Sequence, residues 1–307
     1  MVSRFLNCLP RYRRLNSALK QHYDRYGSNP FIRFAPPGHF YSPLPDLEFV
    51  ERHRATLFDR RPTEIPGIDV HAEEQLALLV RFAEYSDEIP FTDLQSAGLR
   101  YYFQNPYFSY GDAIILYSML RHRRPRRIVE VGSGFSSAVM LDTNDRYCSQ
   151  QIAMTFIDPY PDRLLSLLTD DDTRQHEVIN DAVQDVPLER FAALAAADIL
   201  FVDSSHVAKV GSDVVHLVTA VLPRLATGVV IHFHDVFWPF EYPEEWIRGG
   251  RAWNENYILK AFLQFNVSFK VLFFNSYIAT HHGDAAQRHL PLFMKNPGGS
   301  LWIEKIA

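Results

Sequence analysis

Short apolar runs that alternate with segments of helical spacing dominate the chain from residue 127 onward. Runs typical of strands, several of them continuously apolar as in a sheet covered on both faces, span residues 127–131, 152–158, 176–180, 198–203, 228–234 and 268–274. Helical spacing occupies the intervals at 136–143, 161–168, 188–195, 209–224 and 253–265. This alternation predicts an α/β fold built on a doubly wound, mostly parallel sheet.

The first 120 residues differ from the rest of the chain in their pattern of prolines and apolar residues. Prolines recur in the segments 29–38 and 41–46. Because proline fixes φ and lacks an amide donor, we expect extended loops in both segments. Helical apolar spacing occurs at 72–85 and again at 111–122. We therefore predict a helical and loop-rich extension over residues 1–120, lying on the substrate side, and a main domain over residues 121–307.

Composition and charge narrow the class of protein. The chain has 307 residues, 47% of them hydrophobic, and its net charge of −5 gives no electrostatic case for nucleic-acid binding. Cys8 and Cys148 fit no metal-binding spacing, so we expect a reducing, cytoplasmic compartment. No apolar run approaches the ~20 residues that span a bilayer, and the basic N-terminal segment lacks the apolar stretch of a signal peptide.

Polar residues follow most of the predicted strands at the point where each strand ends. They are Glu130 to Gly134, Asp158, Asn180 to Asp185, Asp203 to His206, and His234 with Asp235. Ligands of doubly wound sheets bind beyond the carboxyl ends of the strands. The repetition of polar strand ends therefore predicts a site along this edge of the sheet. His232 should face away from His234, and we interpret it as structural.

The run from Arg127 to Ser137 predicts a buried strand, a glycine-rich turn and the start of a helix. Glu130 lies two positions before Gly132, and Gly134 follows. A dinucleotide-binding turn uses its glycines to approach a pyrophosphate at a helix N-terminus. A carboxylate ahead of the glycines offers an acceptor to a cationic ligand instead.

This turn resembles motif I of the class I S-adenosylmethionine-dependent methyltransferases, whose cofactor carries an ammonium and a sulfonium. Glu130, Gly132 and Gly134 match the acidic-x-Gly-x-Gly pattern, and Ser136 replaces its third glycine. The resemblance covers roughly residues 105–307 and implies a Rossmann-like, seven-stranded sheet whose last strand, near 298–306, is antiparallel. It further implies cofactor-binding roles for three side chains outside the turn. They are Asp158 on the ribose hydroxyls, Gln184 near the adenine and Tyr110 in a segment that closes over the cofactor.

The ends of the fourth and fifth strands resemble the metal-dependent, catechol-type O-methyltransferases. By that resemblance Asp203 and Asp235 are metal ligands, and His234 stands where the family has a second Asp. Because imidazole suits softer ions than Mg²⁺, the implied metal is Mn or Fe as readily as Mg. His206 stands where a general-base Lys would be. The alternative is a metal-free acid–base cluster of Asp203, His206 and His234.

The function expected from these resemblances is methyl transfer from S-adenosylmethionine to a small-molecule hydroxyl, on a sugar, a natural product or a phenol. His206 would be the general base, and both a homodimer and a monomer remain open. An NAD-dependent oxidoreductase is the first alternative, but a GxGxxG turn would need glycine where Ser137 stands. A non-catalytic cofactor-binding protein on the same fold is the second.

Overall fold

The computed structural model describes residues 31–307 and six earlier positions, 17, 20, 21, 24, 27 and 29. Cys8 and most of the predicted extension before residue 31 lie outside the described residues. The chain divides into two compact units, one formed by the residues up to Arg60 with Glu244–Ala252, the other by Arg61–Pro243 with Trp253–Ala307. The boundary predicted at residue 120 thus falls inside the second unit, within a helix. In the described part, no helix combines the length and apolarity needed to cross a bilayer.

The second unit contains a seven-stranded sheet in the order β3-β2-β1-β4-β5-β7-β6. Its strands are β1 (Arg127–Val131), β2 (Ala153–Ile157), β3 (Glu177–Ile179), β4 (Ile199–Val202), β5 (Val230–Phe233), β6 (Phe269–Phe274) and β7 (Leu301–Lys305). β7 inserts between β5 and β6 and runs antiparallel to both, whereas β1 to β5 pair in parallel. The predicted α/β fold, with its antiparallel last strand, is confirmed.

Helices form in each of the predicted intervals, and residues 31–307 contain six more that were not predicted, over 47–52, 54–58, 170–175, 244–248, 275–281 and 283–289. In chain order they are α1 (Leu47–Arg52), α2 (Arg54–Phe58), α3 (Ala72–Ala83), α4 (Tyr110–Arg123), α5 (Phe135–Tyr147), α6 (Asp162–Leu165), α7 (Asp170–Gln175), α8 (Leu188–Ala192), α9 (Asp213–His216), α10 (Glu244–Arg248), α11 (Glu255–Leu263), α12 (Asn275–His281) and α13 (Gly283–His289). The helix predicted over 209–224 is shorter in its α-helical part. After α9 it widens into a π turn and ends in a 3₁₀ turn that contains Pro223, which lacks an amide donor.

The core lies where β1, β4 and β5 pack against helices on both faces. All four residues of β4 and of β5 are buried, which explains why β4 is continuously apolar and why β5 is apolar except at His232. Helix α4 is buried from Tyr110 through Leu120. At Gly111 a Cβ would lie 2.3 Å from the carbonyl oxygen of Pro297, so only glycine allows the chain preceding β7 to pack this closely. This packing places residues 110–120 firmly in the main domain.

The smaller unit joins α1 and α2 to α10 through exposed ion pairs. Glu244 accepts from Arg54 Nη2 at 2.8 Å and from Arg248 Nε at 2.8 Å, and Arg248 also pairs with Glu51. Asp46 caps α1 by accepting from the amides of Glu48 and Phe49. Because water screens exposed ion pairs, these pairs set local geometry more than they stabilise the fold.

Candidate active site at the carboxyl edge of the sheet

A cavity of about 840 Å³ opens where β1, β2, β4 and β5 end. Seven of the predicted site residues line it: Gly132, Asp158, Gln184, Asp203, His206, His234 and Asp235. Glu130, Gly134, Ser136 and Tyr110 are not among the lining residues. A larger groove of about 1030 Å³ beside β6 contains none of the polar strand ends, so the chemistry belongs to the smaller cavity.

The glycine turn after β1 brings the backbone close to the end of β4. Gly132 has φ +78°, and a Cβ there would lie 1.8 Å from the backbone oxygen of Asp203. No other residue type fits this position without moving one of the two strand ends. Gly132 therefore leaves an open stretch of backbone facing the cavity.

Asp158 links the turn to the end of β2. Its Oδ2 accepts from both the amide and the hydroxyl of Ser133, each at 2.9 Å, and its Oδ1 accepts from the amide of Tyr160 at 2.8 Å. Its carboxylate thus closes a local turn while still lining the cavity. A ribose-binding role for Asp158 stays a prediction that is compatible with this placement.

Glu130 and Ser136 do not face the cavity. The carboxyl group of Glu130 is fully buried and accepts from the hydroxyls of Ser136 and Ser137 at 2.5 Å each. Burial raises its pKa to about 8, against the effect of the two serine hydrogen bonds, so the group is protonated at neutral pH. The geometry gives Glu130 and Ser136 the task of bracing the start of α5, and it does not support direct contact with a cationic ligand.

Of the two tyrosines near the start of α4, Tyr107 lines the cavity and Tyr110 does not. Tyr110, predicted to close over the cofactor, donates its hydroxyl to Asp93 at 2.8 Å and stacks on Phe103 at 4.6 Å between ring centroids. Tyr107 lines the cavity instead, and the Arg163 guanidinium lies 3.8 Å from the centroid of its ring. Because α4 begins at Tyr110, the ring of that residue is held in helix packing, whereas Tyr107 is on the loop before it.

Ionisable side chains cluster at the opposite end of the cavity. His206 Nε2 lies 3.5 Å from Asp203 Oδ1 and 3.7 Å from Asp235 Oδ2, and His234 Nε2 lies 3.5 Å from Asp235 Oδ1. Burial alone would raise the pKa of Asp203, but His234 and His206 hold it at about 2. The carboxylates in turn outweigh burial and raise the pKa of both His206 and His234. These directions favour an ionised Asp203 beside a protonated His206 at neutral pH.

Sequence reasoning missed Glu255, which contacts His206 from the first turn of α11. Its Oε2 lies 2.9 Å from His206 Nδ1, and its residue is 1% exposed. The ring of Trp253 packs 4.4 Å from the ring of His206, between centroids. An acidic residue in the first turn of a helix is a common feature that favours the helix dipole, so no signal in the sequence distinguished Glu255.

His232 lies on the same face of β5 as His234, contrary to the prediction, because alternate residues of a strand share a face, and the two ring centroids are 5.9 Å apart. Its own contacts are with core groups. Its ring stacks on Phe201 at 3.8 Å between centroids, and its Nε2 lies 2.9 Å from the hydroxyl of Ser300. That hydroxyl donates to Asp112 at 2.6 Å. Burial lowers the pKa of His232 well below its usual value, so the ring is neutral.

The predicted metal set of Asp203, His234 and Asp235 is not supported by the arrangement. Across residues 31–307 and the few described positions before them, no three His, Cys, Asp or Glu side chains are placed to hold a metal ion. In this structure each carboxylate assigned to the metal lies 3.5 Å from a histidine nitrogen. The described residues thus form no metal cluster, and a bound cation stays a prediction.

Comparison with known proteins assigns the class. Residues 129–236 match a family model described as a methyltransferase domain. Over these residues the chain carries a methyltransferase domain, the class that its glycine turn predicted. An uncharacterized protein of Archaeoglobus fulgidus is 38% identical over 164 residues, which cover 52% of this chain and 73% of that relative.

Two solved structures are similar to this chain at low sequence identity. One is the SAH-bound Podospora anserina methyltransferase PaMTH1, at 15% identity and a TM-score of 0.43, covering 85% of this chain and 96% of that one. The other is the O-methyltransferase TomG from Streptomyces achromogenes in complex with SAM, at 15% identity and a TM-score of 0.39, covering 84% and 96%. At these scores neither likeness carries an argument about substrate.

Proposed function

We propose that this protein transfers the methyl group of S-adenosylmethionine to a hydroxyl group of a small molecule, with His206 as the proton acceptor. One observation carries the proposal: a single cavity joins the glycine turn and Asp158 at one end to Asp203 and His206 at the other. A cofactor bound along the turn would thus lie next to a group able to take a proton.

The cofactor would be held by the end of the cavity formed by β1, β2 and the loop after β3. Gly132 presents bare backbone, Asp158 presents a carboxylate to the ribose hydroxyls, and Gln184 lies in the loop expected to meet the adenine. Gln184 Nε2 donates to the carbonyl of Gly211 at 2.7 Å, which fixes its orientation. When bound, S-adenosylmethionine supplies an electrophilic methyl group on a sulfonium.

His206 would take the proton of the acceptor hydroxyl through Nε2. The oxygen lone pair that this frees would form the new bond to the methyl carbon as the carbon–sulfur bond breaks. The electron pair of that bond would stay on sulfur, S-adenosylhomocysteine would leave, and the proton would stay on the ring. Asp203 and Asp235 lie beside Nε2 and stabilise the charge that the ring acquires. Since the resting ring is protonated, it must first release a proton to solvent, and transfer should be faster at alkaline pH.

His234 would act on the electrostatics of the site. Its charge is the largest single contribution that lowers the pKa of Asp203, and the residue is 5% exposed. Keeping Asp203 ionised maintains the negative charge that faces His206 Nε2. His234 thereby supports the proton acceptor while Asp235 balances its charge at 3.5 Å.

Ligand binding tests the cofactor half of the proposal. S-Adenosylhomocysteine at 100 times its Kd should raise the melting temperature by about 5 °C, and NAD should leave it unchanged. Asp158→Asn should weaken that binding about 10-fold by removing a charged acceptor, whereas Asp162→Asn, on an exposed neighbour, should not. Stabilisation by NAD alone would overturn the assignment in favour of an oxidoreductase.

Turnover separates an enzyme from a cofactor-binding protein. Isotope-labelled methyl transfer should be measured against phenols, sugars and amines. Transfer to hydroxyl compounds supports the proposal, and transfer confined to amines contradicts its O-directed part. Activity should survive chelation with EDTA, because the described residues do not form a metal site. Loss of activity that Mn²⁺ or Mg²⁺ restores would instead support the metal-assisted alternative.

A further inference from the structure

We infer that Glu255 is a positioning residue that fixes the His206 ring so that Nε2 points to the cavity as a proton acceptor. The inference rests on the proposed role of His206 and adds the residue that makes that role geometrically possible. Glu255 is 49 positions from His206 along the chain and reaches it only through the packing of α11 against the end of β4.

The side-chain contact is specific. Glu255 Oε2 lies 2.9 Å from His206 Nδ1 in a fully buried setting, and no hydrogen-bond partner for Glu255 Oε1 exists among the described residues. The carboxyl group is thus committed to the imidazole as its polar partner. A buried carboxyl group is costly unless it is paired, so the fold keeps Glu255 here at the expense of stability.

Backbone hydrogen bonds also join the start of α11 to His206. The amides of Asn254 and Glu255, at the start of α11, both donate to the carbonyl of His206, at 3.1 and 3.2 Å. The side chain of Asn254 holds the next part of the loop by accepting from the amide of Ala208 at 2.6 Å. His206 itself has φ +59°, a left-handed conformation that a non-glycine residue adopts at a cost. The start of α11 therefore maintains both the backbone and the ring of His206.

This attachment selects one tautomer. A neutral imidazole carries a single N–H, and carboxylates face both nitrogens of His206. The 2.9 Å contact of Glu255 with Nδ1 is shorter than the 3.5 Å contact of Asp203 with Nε2, so it favours the hydrogen on Nδ1 and leaves the lone pair on Nε2. Nε2 is the nitrogen that lies near Asp203 and Asp235 and lines the cavity with them. Without Glu255 the opposite tautomer would place an N–H toward Asp203, and that ring could not accept a proton from a substrate.

The test compares full-length wild-type protein with Glu255→Gln, and with Glu189→Gln as an exposed matched control. With ¹⁵N-labelled histidine, the wild type should show a strongly hydrogen-bonded, downfield proton on His206 Nδ1, assigned by its loss in His206→Asn. In Glu255→Gln this proton should move upfield, and kcat for methyl transfer should fall about 100-fold. The KM for S-adenosylmethionine and the affinity for S-adenosylhomocysteine should stay within about twofold.

Two results would overturn the inference: a wild-type spectrum with no such Nδ1 proton, or a Glu255→Gln enzyme with kcat within about threefold of wild type. If Glu255→Gln does not fold, the wild-type spectrum and Glu255→Asp decide, because the shorter carboxylate should weaken the Nδ1 hydrogen bond and lower kcat. A wild type that shows the Nδ1 proton yet transfers no methyl group to any acceptor contradicts the proposed function and leaves the positioning of His206 standing.

Discussion

The two ends of the cavity are built in different ways. At the turn end, formed by Gly132, Ser133 and Asp158, the hydrogen bonds join residues no more than 25 positions apart. At the histidine end, formed by Asp203, His206, His234 and Asp235, the contacts cross strands and reach Glu255 on a distant helix. The turn end holds its buried carboxyl group, Glu130, in the neutral form, whereas the histidine end gathers ions.

The difference follows from what each end is proposed to do. Binding a cofactor requires backbone that comes close and does not move, which glycine geometry and short hydrogen bonds provide. Moving a proton requires a group whose charge state is set by neighbours, and those neighbours are expensive to bury unless they pair. Changes at the turn end should therefore affect stability and binding, and changes at the histidine end should affect turnover.

The largest expected effect comes from removing the proton acceptor. His206→Asn should lower methyl transfer about 1000-fold while S-adenosylhomocysteine binds as in wild type, because the turn end is intact. His53→Asn, on an exposed histidine, serves as the control in the same assay. Equal turnover in His206→Asn and wild type would remove the distinction between the two ends.

Next in size is a steric change at the turn end. Gly132→Ala should destabilise the fold by about 3 kcal/mol, since it combines a left-handed φ with a Cβ pressed on the Asp203 carbonyl. Gly250→Ala, at φ +87° with open space around it, should cost only about 1 kcal/mol. Urea unfolding measures both, and similar losses in the two variants would show that the close approach at Gly132 relaxes.

The protonation of Glu130 gives the turn end a pH signature of its own. Its pKa is about 8 in the folded protein and about 4.3 in an unfolded chain. Between these values the folded state holds a proton that the unfolded state has released, so stability falls as pH rises. Glu130→Gln should make the slope of unfolding free energy against pH shallower by about 1 kcal/mol per pH unit between pH 5 and 7. Parallel curves for the two proteins would mean that Glu130 is ionised in the fold.

The smallest effect concerns the pH dependence of turnover. Since Asp203 and Glu255 raise the pKa of His206, wild-type kcat should increase with pH and level off well above pH 6.5. Asp203→Asn removes one of these charges and should move the midpoint of that rise down by about one pH unit. A midpoint that does not move would assign the observed ionisation to another group.

Sequence patterns anticipated the sheet and most of the cavity, and particular residues show why. The strands were found because burial on both faces forces continuous apolar runs, as in β4. Gly132, Asp158, Asp203 and His206 were found because strand ends in a parallel sheet meet at one edge. Tyr110 was assigned to the cavity in error, since the start of α4 decides which of two nearby tyrosines faces it.

Side-chain direction and pairing were beyond the reach of sequence patterns. The order of residues placed Glu130 ahead of the glycines, but only packing shows that its carboxyl group turns inward to Ser136 and Ser137. Similarly, the resemblance at the strand ends implied a metal at Asp203, His234 and Asp235, whereas the structure shows that each carboxylate lies 3.5 Å from a histidine nitrogen.

By itself the chain's order of apolar and polar residues determined the α/β sheet, the edge at which its polar strand ends meet, and the glycine turn. These features depend on periodicity and burial, which leave a pattern in neighbouring residues. Only the tertiary structure decided which groups contact one another at this edge of the sheet. The packing of α11 brings Glu255 to His206, and the close approach of Gly132 to Asp203 joins the two ends of the cavity. Such long-range contacts depend on the three-dimensional path of the chain, which no local pattern encodes.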